Sequence, residues 1–135
     1  MALFSLQNHD YPSSLITSWT IIEQMLDTNW EKYISNNRTR ILNDEEQPFI
    51  NEKRAQTLRG RDYSASIRTE VLSLVNELPM SIYTSINNVR KTRNKWMHEM
   101  DNVSLNDSCS ALQGVADLFN LVYGYSLPTQ VPLTL

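Results

Sequence analysis

The run Arg93-Asn94-Lys95-Trp96-Met97-His98 holds the residue types that can handle a phosphodiester. Arginine carries a permanent charge on a planar fork of donors that matches two oxygens of a phosphate. Histidine titrates near neutral pH and can give or take a proton. Asn94 can orient either group or a substrate. Asn94 and His98 lie four residues apart, so they share one face of a helix, and Arg93 starts about 100° away with a side chain long enough to reach around. A cation and a proton shuttle are the minimum for metal-independent cleavage of RNA. The 2′-hydroxyl attacks the neighbouring phosphorus, the arginine offsets charge on the phosphorane, and the imidazole moves a proton. Arg93 also falls near the centre of its helix's apolar stripe, where an aliphatic residue is expected. A charge there is costly unless it is paired or reaches water, so a local rule is broken at this position.

Several neighbours admit both a functional and a plain reading. Arg90, Lys91 and Lys95 surround the motif and can grip flanking phosphates, or they form a solvated face that compensates the helix C-terminal dipole. Glu23, at the edge of the first long helix's stripe, can pair with Arg93 or orient His98, or it is an ordinary boundary carboxylate. Trp96 packs in the core or at a dimer seam, or it stacks on a base. Lys53, Arg54, Arg59 and Arg61 read as a flexible basic loop that contacts RNA or is simply solvated. His9 lies outside the helical pattern and is given no role. Cys109, the single cysteine, falls within an apolar helical pattern and reads as an inert core thiol. It cannot form an internal disulfide, which fits a reducing compartment. With His9 and His98 it shows no metal-ligand spacing, so no metal site and no cofactor are expected.

The elements that must position these groups are helical. The first long helix is predicted from about Pro12 to Ile34, with Leu15, Trp19, Ile22, Leu26, Trp30 and Tyr33 on one stripe and Pro12 in its first turn. Residues 35–63 carry a weaker pattern. Asn36-Asn37 and Asn43-Asp44-Glu45-Glu46 read as loop, and Pro48 can open a short helix closing near Gly60. Ser64 is placed as the cap of a second helix whose buried face is Ile67, Val71, Leu74 and Leu78. Pro79 ends it and starts a third helix to about Glu99, with Ile82, Ile86, Val89 and Met97 on its inner stripe. Ser104-Leu105-Asn106-Asp107 is a capping sequence for a fourth helix, with Ser108, Leu112, Val115, Phe119 and Val122 in register. An irregular tail from Leu127 to Leu135, holding Pro128 and Pro132, is expected. The fold class is therefore all-α, an up-and-down four-helix bundle with a short helix or long loop between helices 1 and 2.

The chain has 135 residues, the length of one domain, and 41% hydrophobic content, too much for a disordered segment. Three glycines are few for an all-β fold. The net charge of −3 is distributed unevenly: residues 53–98 hold nine of the twelve cations and three of the fifteen acids. That middle third can present a positive surface despite the acidic total. No segment approaches a membrane-spanning length of apolar residues and no signal peptide is visible, so no membrane partner and a cytoplasmic location are expected.

The segment Arg93-Asn94 with His98 resembles the motif of the HEPN family (higher eukaryotes and prokaryotes nucleotide-binding), an Arg, four to six residues, then a His, often with Asn directly after the Arg. Ile86-Asn87-Asn88-Val89-Arg90-Lys91-Thr92 is similar to the family's approach to that motif, and so is Trp19-Thr20-Ile21-Ile22-Glu23 in the first helix. The likeness covers about residues 12–126 as an architecture; only the motif is sharp. It implies one HEPN-like helical domain over residues 1–135 that dimerises, with both copies of the motif lining one cleft across the two-fold axis as a composite endoribonuclease site. Arg93 would then stabilise the scissile phosphate, His98 would act in proton transfer or phosphate contact, and Asn94 would support the geometry. Many such proteins are toxins or antiviral effectors acting on RNA without a metal, some with an antitoxin or regulatory protein as partner. Toxins paired with nucleotidyltransferase antitoxins often carry a Tyr two positions after the His; here that position is Met100. Other family members have lost catalysis and serve as nucleotide- or protein-binding modules, which is the alternative function. A bundle in which Arg93 and His98 are satisfied structurally is the third reading.

Overall fold

The computed structural model of the chain describes residues 2–7 and 10–127. Its elements, in order, are α1 (Ala2–Gln7), α2 (Tyr11–Asn36), β1 (Thr39–Leu42), β2 (Glu45–Pro48), α3 (Glu52–Leu58), α4 (Ala65–Leu74), α5 (Met80–Glu99) and α6 (Leu105–Tyr123). The protein is mostly helical with one small two-stranded sheet. His9 and the expected tail beyond residue 127 lie outside the described residues.

The 26-residue α2 is the spine. The Asp10 carboxylate accepts the Ser13 N–H at 3.3 Å and caps its first turn, with Pro12 in the position where a missing N–H costs nothing. Leu15, Trp19, Ile22, Leu26, Trp30 and Ile34 are buried along one stripe, and α6, α5 and α4 pack on it. Tyr33 is only half-buried, and Ile34 takes the inward place at the end of the stripe. α6 opens with a reciprocal capping box: the Asp107 N–H donates to Ser104 Oγ at 3.1 Å, and the Ser104 N–H donates to Asp107 Oδ2 at 3.0 Å. Gly114 in α6 faces α5 and α2. A Cβ there would come within 3.3 Å of Ser85 Oγ and 3.6 Å of Val89, so its missing side chain lets α5 and α6 approach closely.

Several expectations are corrected. Residues 39–48 form a β-hairpin instead of loop, paired from Thr39↔Pro48 to Leu42↔Glu45. Asn43 and Asp44 both have positive φ, 53° and 61°, the turn geometry whose twist suits a two-residue hairpin and that Asn and Asp tolerate. Pro48 ends this hairpin, and α3 starts later, capped by Asn51 accepting from the Arg54 N–H at 2.9 Å. The basic stretch 53–61 is consequently not a flexible loop: most of it is α3, and Arg59 forms a two-pronged ion pair with Glu31 at 3.0–3.1 Å. Cys109 is exposed instead of buried in the core, because Ser108 and Ala111 take the inward positions of that turn.

The buried face of α4 is also corrected. Thr69 and Leu72 are buried, while Ile67 is exposed and Leu74 is 79% exposed. The helix stops at Leu74, and Asn76 turns left-handed at φ 63°, so Leu78 is not on the same helical stripe. Thr69 can face the core because its hydroxyl donates to the Ala65 carbonyl at 2.7 Å. Leu72→Ala is expected to lower stability by about 2–5 kcal/mol. Leu74→Ala should change it by no more than about 0.5 kcal/mol. Urea unfolding of the two variants measures the difference.

Candidate functional site

α5 runs to Glu99 and closes on Met100 in the left-handed conformation at φ 56°, with the Met100 N–H reaching back to the Lys95 carbonyl. Ile86 and Val89 of its inner stripe are buried and Ile82 is half-buried. Met97, expected on that stripe, is 47% exposed instead, at the edge of an open groove. Arg93 continues the inward line one turn after Val89, toward the first turns of α2. There Pro12, Ser13, Ile16 and Thr17 face Arg93, Trp96 and Met97 across a groove of about 480 Å³. Asp10 stands at the groove's rim.

The guanidinium of Arg93 is half-buried. Its Nη1 donates to Asn94 Oδ1 at 3.0 Å, and its Nε is sealed from solvent with no hydrogen-bond partner. Among the described residues the ion pairs are Arg38–Glu52, Arg59–Glu31 and Arg68–Asp27, so no carboxylate neutralises Arg93. Asp10 is occupied with capping α2 and does not pair with it. Glu23 is exposed and pairs with neither Arg93 nor His98.

His98 is exposed and does not line the groove. Five residues of α-helix rotate it by roughly 140° from Arg93, whereas Asn94 stands about 100° from Arg93 and 40° from His98. Within one chain the structure therefore brings Arg93 and Asn94 together and leaves His98 on the outer flank beyond them. Trp96 is half-buried against the core and walls the groove. Lys91 and Lys95 are exposed on the outer side of α5.

Arg90 belongs to the flank that carries Asn94. It is half-buried; its Nη2 donates to Asn87 Oδ1 at 3.5 Å, and its Nε, like that of Arg93, is buried without a partner. Asn87 escaped the sequence reading, although its place three residues before Arg90 on the same face was a usable signal. Farther along the flank the Tyr83 hydroxyl donates to Glu70 Oε1 at 2.5 Å. That bond, with burial, holds the phenol above its ordinary pKa. The α2 wall of the groove carried no signal in the sequence, because it exists only where two helices 76 or more positions apart meet.

No family model, no curated protein and no solved structure matches this chain. Among the described residues no three His, Cys, Asp or Glu side chains assemble as a metal-holding group, and no helix is long and apolar enough to cross a membrane.

A half-buried charge without a counter-charge costs folding free energy, so removing it should not destabilise the chain. Arg93→Met, which keeps the volume and loses the charge, is expected to leave stability unchanged or raise it by up to about 1 kcal/mol, read by thermal unfolding. A loss of more than about 2 kcal/mol would assign Arg93 a structural role.

Proposed function

We propose that the chain is a HEPN-type endoribonuclease that works as a homodimer and needs no metal. The observation that carries this reading is Arg93: a permanent charge set on the inward line of a helix, bound to a neutral amide, answered by no carboxylate among the described residues and facing an open groove. Such a group is an electrostatic receptor for an anion, and its fork geometry suits the non-bridging oxygens of a phosphodiester.

In this reading Arg93 holds the scissile phosphate and stabilises the added negative charge of the phosphorane. Asn94 fixes the guanidinium plane through its Oδ1. Arg90, Lys91 and Lys95 contact flanking phosphates. The 2′-hydroxyl oxygen bonds to the adjacent phosphorus, the 5′-oxygen leaves with a proton, and the products are a 2′,3′-cyclic phosphate and a 5′-hydroxyl. His98 supplies the proton transfer.

Because His98 is turned away from Arg93 in one chain, the working pair is Arg93 of one protomer with His98 of its partner. The two-fold contact is made by the exposed end of α5, where Met97 is joined by Met100, 81% exposed. Two apolar side chains flanking the imidazole give that contact something to bury. The bundle is then a HEPN helical core from about residue 12 to 126, with the hairpin and α3 inserted between its first and second helices. A toxin or antiviral effector held by an antitoxin or regulatory protein is the setting such an enzyme fits.

Purified protein should cleave RNA in excess EDTA, leaving 2′,3′-cyclic phosphate ends. His98→Ala and Arg93→Ala should each reduce the rate by about 10²–10⁴-fold. Mixing the two inactive variants should restore roughly a quarter of wild-type activity, since half of the dimers are mixed and each keeps one intact Arg–His pair. Intact RNA with wild-type protein would remove the nuclease reading in favour of a binding module, and no recovery on mixing would place Arg93 and His98 of the same chain at one site.

A further inference from the structure

We propose a second ligand site at the opposite end of α2, a pocket for a small planar aromatic carboxylate of one or two fused rings. The pocket has a volume of about 380 Å³ and lies where the C-terminal half of α2 meets the hairpin, α3 and α4. That volume falls at the small end of the range for ligand sites, enough for a compact molecule and too little for a chain. Four aromatic rings line it: Trp30, Tyr33, Phe49 and Tyr63. Trp30, buried, backs the pocket, 6.1 Å from the Tyr33 ring and 5.7 Å from the Tyr63 ring, both tilted by about 30°. The half-buried Tyr33, Phe49 and Tyr63 rings offer faces and edges to an inserted ring.

The polar groups of the wall divide into those already satisfied and those still free. Trp30 Nε1 donates to the Leu58 carbonyl at 2.8 Å, and Thr57 Oγ1 donates to the Lys53 carbonyl at 3.1 Å. The hydroxyls of Tyr33 and Tyr63 have no hydrogen-bond partner among the described residues, and neither oxygen is sealed from solvent. Arg54 stands among the lining residues and is itself exposed. Its Nη1 donates to the Phe49 carbonyl at 3.1 Å and its guanidinium lies 6.0 Å from the Phe49 ring centre, which holds the fork in place. Arg38, Arg59 and Arg68 nearby are paired with Glu52, Glu31 and Asp27, while Arg40 stacks on the Phe49 ring at 4.8 Å without an ion pair but is not among the residues that line the pocket. Arg54, the one arginine of the lining, has no carboxylate partner among the described residues. An apolar, ring-lined cavity selects a flat hydrophobic body, and one positioned, unpaired guanidinium at its edge selects a carboxylate on that body. The free phenol hydroxyls can donate to the same carboxylate.

The site does not depend on the nuclease reading. About sixteen residues of α2 separate it from the Arg93 groove, roughly 24 Å along the helix. The test follows the three tryptophan indole N–H signals of the ¹⁵N-labelled full chain by NMR, with the Trp30 signal assigned by its loss in Trp30→Phe. On titration with 2-naphthoate the Trp30 signal should shift and saturate, while those of Trp19 and Trp96 stay in place. Arg54→Gln, an exposed substitution that leaves the rest of the spectrum unchanged, should weaken 2-naphthoate by about tenfold and leave the neutral 2-naphthalenemethanol unaffected. A Trp30 signal unmoved at millimolar 2-naphthoate would overturn the proposal. So would equal movement of all three signals, or an Arg54→Gln effect that is absent or the same for both probes.

Discussion

A guanidinium placed on the side of a helix that faces its neighbours must find a counter-charge, reach water, or cost free energy. Arg93 takes the middle course. Its Nη1 rests on the Asn94 amide, its Nε stays buried and unpartnered, and the rest of the fork meets the groove between α5 and the start of α2. Everything around it is consistent with keeping that charge in place and uncompensated. Asp10, the carboxylate at the rim, is held by the cap of α2, and Glu23 points away.

The rest of the architecture can be understood as the support of that placement. α2 supplies one continuous apolar stripe of 26 residues, and α4, α5 and α6 lean on it. Gly114 lets α6 approach α5 closely beside Ser85 and Val89, the latter one turn before Arg93. The capping box at Ser104 and the left-handed turn at Met100 set where α5 stops and α6 begins, so the motif lies in a defined last turn. At the far end of α2 the hairpin and α3 fold over Trp30 and leave a ring-lined cavity. One helix thus carries two chemically different surfaces at its two ends, a cationic groove and an aromatic pocket.

Helix positions were legible wherever one local signal sufficed. The α2 stripe and the caps at Ser64 and Ser104 could be read directly, because apolar period and capping chemistry act within a few residues. The hairpin was not legible by the same means: its strands are exposed on nearly every position and show no apolar alternation, so only the Asn43-Asp44 pair signalled it. The face of α4 was misread because Ile67 and Leu74 outweigh Thr69 in hydrophobicity, while the threonine satisfies its own hydroxyl on the preceding turn. Cys109 was misplaced by one position of a helix, a rotation of about 100° that a periodic pattern rich in small residues does not resolve.

By itself the sequence determined that the protein is helical, where its long helices lie, and that Arg93, Asn94 and His98 share the end of one of them, since all three follow from short-range periodicity and capping. Tertiary structure alone decided which of those side chains meet. Arg93, bonded to Asn94, faces a groove whose other wall comes from residues 12–17, and Asn94 and His98 are not among its lining, because the rotation of α5 is set by packing against α2 and α6. The aromatic pocket was equally out of reach of the sequence. Its rings come from α2, the segment after the hairpin and the segment before α4, and only the fold places Arg54 at their edge without a carboxylate among the described residues.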